Sequence, residues 1–298
     1  MSTASYQPLA GSSGRAARRR RWGKVMEGLA TLAAIVAIAV LAIVIISVAK
    51  KGLPALNVDL FTQVTSTFGI PGQGGGIKNA IIGTVIMTAI ATAISVPLGV
   101  LLAIFSSEFA PARLALIIRI TLNVLAGVPT IVIGVFVFGL LVVGNGYSAY
   151  AAGVALSIVQ LPVVARSTEE VLLLVPHSLR EAGMALGASR ARTVLTVILP
   201  TAVGGIVTAT IVAVARAAGE TAPLLFTTGI FANAVVTDPT KPMASIPLVI
   251  FQGSESPSAH DQEVAWAAAL VLLVGVLIGS SVGRLLSLRS RRRIEQTR

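Results

Sequence analysis

The sequence contains no cysteine. That absence excludes disulfides, thiol catalysis and zinc–thiolate centres. It has two histidines, His177 and His260, far apart and without metal-ligand spacing, so no metal site is expected. Charge is scarce as well. Only 12% of the 298 residues are Asp, Glu, Lys or Arg, about half the fraction of a soluble domain. The phosphate-cradling pattern G-x-x-x-x-G-K-[ST] is also missing, because Lys24 is followed by Val25 and Lys78 by Asn79. The Gly-rich stretch PGQGGGIK at 71–78 therefore reads as a flexible lead into a helix, and no nucleotide is expected on this chain.

Apolar surface is what the chain has in quantity. It is 55% hydrophobic, with a mean hydropathy of +0.88. Residues 120–165 carry no charge at all, far more than the ~20 residues that cross a ~30 Å hydrocarbon core. The expected fold class is an all-α polytopic membrane protein with six transmembrane helices, and the lipid bilayer is its first partner. The net charge of +11 does not point to nucleic acid, because of where it sits. Residues 1–24 hold six basic residues and no acid, and residues 284–298 hold six basic residues and one acid. Basic flanks beside apolar spans mark cytoplasmic ends, so both termini are expected inside and the number of spans even.

The chain divides accordingly. Residues 1–24 read as a disordered basic cytoplasmic tail and 287–298 as a second basic tail. The transmembrane domain, 25–286, has spans at about 26–49, 79–105, 114–143, 149–172, 200–224 and 264–286. The first apolar run, 28–49, exceeds a signal-peptide core and reads as a retained helix. Gly127-Val128-Pro129 marks a bend in the third span, Pro97 and Pro162 mark kinks, and GNGYS at 144–148 is a turn. Residues 52–78 and 225–263 are outer segments; TAPLLFTTGIFANAVV, largely within the latter, is apolar enough to lie in the interface or re-enter the membrane.

Two polar features stand out. The first is the cytoplasmic loop 177–199, which reads as two short helices joined near Gly187 and Ala188. A new span then starts at Leu199-Pro200. The second is Arg216 with Glu220, expected at i and i+4 on one face of the fifth span. Arg216 lies 16 residues after Pro200, which is about 24 Å of helix. A structural intramembrane salt bridge would explain the pair. So would a substrate site, because an ionisable pair at that depth is a functional candidate by default. Arginine's planar fork suits an oxyanion. The neighbouring Glu could accept a proton from protonated phosphate and would repel fully ionised sulfate. Arg166 in the fourth span is either an interfacial arginine or a second substrate-path residue. Arg113 and Arg119 read as interfacial anchors.

Glu181-Ala182, Gly187, then Val197-x-Leu199-Pro200 resembles the E-A-A-x-x-x-G-x9-I-x-L-P motif of ABC import permeases, with Gly183 for the second Ala and Val197 for Ile. In that family the loop docks on a separate cytoplasmic ATPase. The resemblance therefore implies ATPase coupling through Glu181, Ala182, Gly187, Leu199 and Pro200. GGGIKNAIIGTVIMTAIATAISVPLGVLLAIFSSEFA, LAGVPTIVIGVFVFG, RSTEEVLLLVPHSLREAGMALGASRARTVLTVILP and ARAAGETAPLLFT look like the PstA-type permease subunits of phosphate-specific ABC importers, over roughly residues 75–285. This implies a type I ABC importer fold carrying inorganic phosphate across a bacterial inner membrane. It also implies a PstC-like second permease, a PstB-like ATPase dimer and a PstS-like external phosphate-binding protein. Arg166, Arg216 and Glu220 would lie on the phosphate path. No cofactor would be bound by this chain, and ATP and Mg would be used by the ATPase subunits. Other readings are a permease for sulfate or molybdate, a non-transporting membrane sensor, or a secondary transporter, although the last needs no ATPase-docking motif.

Overall fold

A computed structural model describes residues 14–65, 75–229 and 234–296, and among these every regular element is helical. The chain forms two units, residues 1–50 and 51–298. The first is essentially one helix, α1 (Gly14–Gly52). The tail expected to be disordered through residue 24 is helical from Gly14 onward. Ala16, Ala17 and Arg18 to Arg21 are good helix formers, and they extend the apolar helix in the N-terminal direction.

The second unit opens with a 3₁₀ turn (Leu53–Ala55) and the short α2 (Val58–Thr62). There follow α3 (Lys78–Ile104), α4 (Ala112–Gly127), α5 (Thr130–Val137) and α6 (Ala149–Leu173). Next come α7 (His177–Ala185), α8 (Arg190–Thr193), α9 (Leu199–Ala218), α10 (Ala222–Thr227), α11 (Ile246–Glu255) and α12 (Ala259–Gln296). Three π-turns, Phe105–Phe109, Phe138–Val142 and Val194–Ile198, extend α3, extend α5 and join α8 to α9. Among the described residues, five helices are long and apolar enough to span a bilayer, and the bent pair Ala112–Gly127 and Thr130–Val142, taken as one span, makes a sixth.

Three boundaries differ from the sequence expectation. The third span is no single rod over 114–143, because its halves meet at 93°. Pro129 disfavours helical backbone at Val128, which is extended at φ −68°, ψ 128°. The fifth span does not begin at Pro200. Helix runs without interruption from Arg190 to Ala218, and the π-turn just ahead of Pro200 accommodates a residue that lacks an amide donor. Nor does that span reach 224, because α9 stops at Ala218. Continuing it would drive the Pro223 ring into the carbonyl four residues back; the chain turns and Pro223 opens α10 instead. α10 and α11 are too short to cross a membrane.

In lipid, close approach through small residues holds helices together. α3 and α6 lie side by side in this way. A methyl at Gly99 would sit 2.9 Å from Val164 Cγ1, and one at Gly153 would overlap Ile90. Ala80, Ala91, Ala152 and Ala155 are fully buried. At the end where α3 begins, Ile246 N donates to Thr84 Oγ1 at 2.9 Å, and a methyl at Gly83 would overlap the Ala244 carbonyl oxygen. At the opposite end, Ala103, Leu172, Val175, Val194, Ile198 and Ala202 form one core cluster. This cluster fixes the polar loop against α3, α6 and α9.

Gly83→Ala should therefore destabilise the protein by about 1–3 kcal/mol, since a backbone carbonyl has to move. Gly279→Ala, with nothing within 4 Å of the added methyl, should be neutral or slightly stabilising. Melting midpoints of the two purified variants check this, and equal midpoints would count against the packing at Gly83.

Candidate functional site

The polar loop at 177–199 begins where Pro176 starts α7. The helix ends in a Schellman motif. Gly187, at φ +82°, follows the cap; its N–H donates to the Met184 carbonyl at 2.9 Å, and Ala188 N–H donates to the Gly183 carbonyl at 3.2 Å. A left-handed residue at this position is what glycine supplies at little cost. Ser189 caps α8, its side chain accepting from Arg192 N. Glu181 and Ala182 face outward, as do three apolar side chains that the sequence reading did not single out: Leu174, Met184 and Leu186, the last 89% exposed. Exposed apolar residues at a polar loop's tip mark a contact surface.

Gly183, where the family motif has alanine, has a local cause. A methyl there would lie 2.6 Å from Thr193 Cγ2, so the glycine lets α7 close on α8. Leu199 and Pro200, expected to close the loop, lie instead inside the continuous Arg190–Ala218 helix.

The strongest ion pair at this end was not legible in the sequence. Arg180 on α7 donates through Nε to both Glu108 oxygens, at 3.1 and 3.3 Å, and through Nη2 to Glu108 Oε1 at 2.7 Å. Nη2 also donates to the Leu172 carbonyl at 2.9 Å, and Nη1 to that of Val175. The two side chains are 14% and 4% exposed. Beside them lies a cavity of about 360 Å³ whose lining includes His177, Glu181, Arg190 and Thr193.

Arg119, expected as an interfacial anchor, reaches Glu169 instead: Nε donates to Oε1 at 3.0 Å, and Ser106 Oγ donates to the same oxygen at 2.7 Å. Arg166 is exposed. It lines a small cavity of about 180 Å³ with Arg119, Asn123, Glu169 and Glu170. Arg216 is not among the residues lining that cavity.

Arg216 and Glu220 do not share a helix face, because the helix ends between them. Gly219 N–H donates to the Arg216 carbonyl at 3.1 Å and Glu220 N–H to that of Ala217 at 3.2 Å, which turns the chain. Arg216 Nε stands 3.9 Å from Glu220 Oε1, with the arginine side chain 62% exposed and the carboxylate 16%. The guanidinium thus sits in the last turn of α9, where the helix dipole favours a cation. At that distance it makes no hydrogen bond to Glu220, and its donors are open to an anion.

Residues 95–292 match the family described as binding-protein-dependent transport system inner membrane component. The chain is 37% identical over 262 residues to the "Phosphate transport system permease protein PstA" of Haemophilus influenzae, covering 87% of this chain and 91% of that one. It is 39% identical over 248 residues to the "Probable phosphate transport system permease protein PstA" of Methanocaldococcus jannaschii, covering 83% and 86%. Among solved structures it aligns with a bacterial ABC transporter involved in the import of the acidic polysaccharide alginate, at a TM-score of 0.60 and 12% identity, covering 91% and 96% of the two chains. The inward-facing MetNI methionine ABC transporter aligns at a TM-score of 0.58 and 22% identity, covering 72% and 95%. These likenesses show the fold shared with importer permeases.

The Gly183 contact yields a double-variant test. Gly183→Ala alone should destabilise the loop by about 1–2 kcal/mol through overpacking. Adding Thr193→Ala should recover part of that loss, because the Thr193 hydroxyl has no hydrogen-bond partner to forfeit. Thermal midpoints for the two single variants and the pair decide it, and additive losses would refute the contact.

Proposed function

The chain belongs to the family of binding-protein-dependent transport system inner membrane components, and on that premise we propose that it is the permease subunit through which an ATP-driven importer carries inorganic phosphate across a bacterial inner membrane. The observation that carries the reading is its 37–39% identity to phosphate permeases over more than four fifths of its length. The chain is a multi-pass permease subunit and not the ATP-hydrolysing one. Both termini lie in the cytoplasm. A second permease completes the pore, two ATPase subunits dock on the loop at 177–199, and an external phosphate-binding protein delivers the cargo at the outer segments. ATP and Mg act on the ATPase subunits, and this chain binds no cofactor.

The side chains have separate tasks in this scheme. Arg216, exposed in the last turn of α9, offers a fork of N–H donors to the oxyanion. Glu220, close by but not hydrogen-bonded to it, accepts the proton of a protonated phosphate; a fully ionised sulfate brings no such proton and is repelled. Arg166 lies nearer the cytoplasmic end of α6 and offers a later contact on the same path. Closure of the ATPase pair around ATP pushes on α7 through Glu181, Ala182 and the exposed Leu186. That push switches the bundle between its two openings.

Replacing Arg216 by Gln removes charge-assisted hydrogen bonds of about 1.5–3 kcal/mol, so phosphate uptake should fall by roughly 10- to 150-fold while the complex still assembles. Radiolabelled phosphate uptake measures this, with sulfate as control. Uptake at the normal rate would remove Arg216 from the path. Glu181→Ala should release the ATPase subunits or break their coupling to transport. If both the co-purification of ATPase subunits and phosphate-stimulated hydrolysis survive that change, the docking role of the loop is wrong.

A further inference from the structure

Arg180 and Glu181 are consecutive on α7 and face different surroundings. Glu181 is exposed toward the cytoplasm, while the Arg180 side chain is turned into the bundle and 14% exposed. Its guanidinium joins Glu108, 72 positions away, to two carbonyls close before it in the chain. It holds both oxygens of Glu108 in the π-turn closing α3 and the Leu172 carbonyl in the last turn of α6. It also holds the Val175 carbonyl just before α7. Terminal carbonyls of a helix have no intrahelical donor, so Arg180 also serves as the C-terminal cap of α6. The same π-turn is fastened a second time, where Ser106 Oγ donates to Glu169 Oε1 on α6.

Besides the short link back through Pro176 to α6 and the apolar cluster around Leu172, two routes lead from α7 into the membrane. One passes along the chain through Gly187, at φ +82°, to α8 and α9. The other passes through space, from Arg180 to α3 and α6, the closely packed pair. We propose that the Arg180–Glu108 ion pair is the latch that delivers movement of the docking loop to the α3–α6 pair, with Arg180 and Glu108 as positioning residues for transport. The latch rests on the reading of α7 as the ATPase-docking helix. Geometry favours it over an incidental ion pair on two grounds: the bidentate fork with added carbonyl contacts is rigid in both direction and distance, and it departs from the residue directly before the docking glutamate. With the latch intact, α7 and α3 move as one body. Without it, the ATPase can still bind and turn over, but its push reaches α3 only through apolar contacts, which fix neither direction nor distance.

The test uses the full complex in proteoliposomes, with labelled inorganic phosphate outside together with the binding protein. Arg180→Met and Glu108→Gln should each keep the ATPase subunits bound and hydrolysing while phosphate carried per ATP falls about tenfold. The double variant should be no worse than Arg180→Met alone. Because this chain has no cysteine, Leu101→Cys and Ser178→Cys, the latter exposed at the start of α7, introduce the one thiol pair on it for spin labels. Their distance distribution should stay narrow through the ATP cycle and broaden in Arg180→Met. An unchanged phosphate-to-ATP ratio in Arg180→Met, or a double variant whose defect multiplies the single ones, overturns the latch. Should Arg180→Met fail to assemble, Glu108→Gln leaves the carbonyl contacts in place and decides alone: a normal ratio there overturns the latch. Glu181→Ala run in parallel separates the two ideas. If it changes neither ATPase binding nor coupling, the docking reading fails; if it does, and Glu108→Gln transports normally, only the latch fails.

Discussion

A charge drawn into a bilayer needs a partner or a way to water, and the placement of this chain's few charges follows from that constraint. The buried carboxylates Glu108 and Glu169 lie in the π-turn closing α3 and near the last turn of α6, and each is met by an arginine from another segment. Arg216 takes the other solution. It stays open, in the last turn of α9, where terminal carbonyls offset its charge. The interior between these ends is largely apolar, with glycine and alanine at the close α3–α6 contacts and larger side chains such as Met87 and Leu156 filling the rest.

That division of labour organises the transport scheme. Close α3–α6 packing resists bending, the polar loop is tied to its cytoplasmic end, and the open arginine sits at the end of the helix that begins in that loop. The loop's second short helix, α8, and the candidate substrate contact Arg216 thus belong to one helical segment, Arg190–Ala218. A second line of contact runs through Arg180.

Much of this was legible in the residues. Long uncharged runs marked the spans, because hydropathy alone decides what enters lipid. Gly187 marked the loop's turn, because a left-handed residue at a helix end is a local requirement. Val128-Pro129 marked a bend but not its 93°, since that angle depends on α10 packing against α5, with Pro223 Cα 2.9 Å from a methyl built on Gly134. Pro223 also carried the signal that Arg216 and Glu220 could not share a helix, once its ring is weighed against the i, i+4 spacing. The Arg180–Glu108 pair spans 72 positions, and no local pattern reveals a partner at that distance. Arg166 and Arg216, both candidates for the substrate path, stand on separate helices as expected, α6 and α9, and the cavity at Arg166 does not include Arg216.

The π-turn Val194–Ile198 also has a geometric consequence. One residue of helix is about 100° of rotation and 1.5 Å of rise. A π-turn holds one residue more than the α-helical turn it replaces, so it acts as a phase shifter. It gives Arg216 a bearing, relative to the tip of the 177–199 loop, that an unbroken α-helix over the same residues would turn by about 100°.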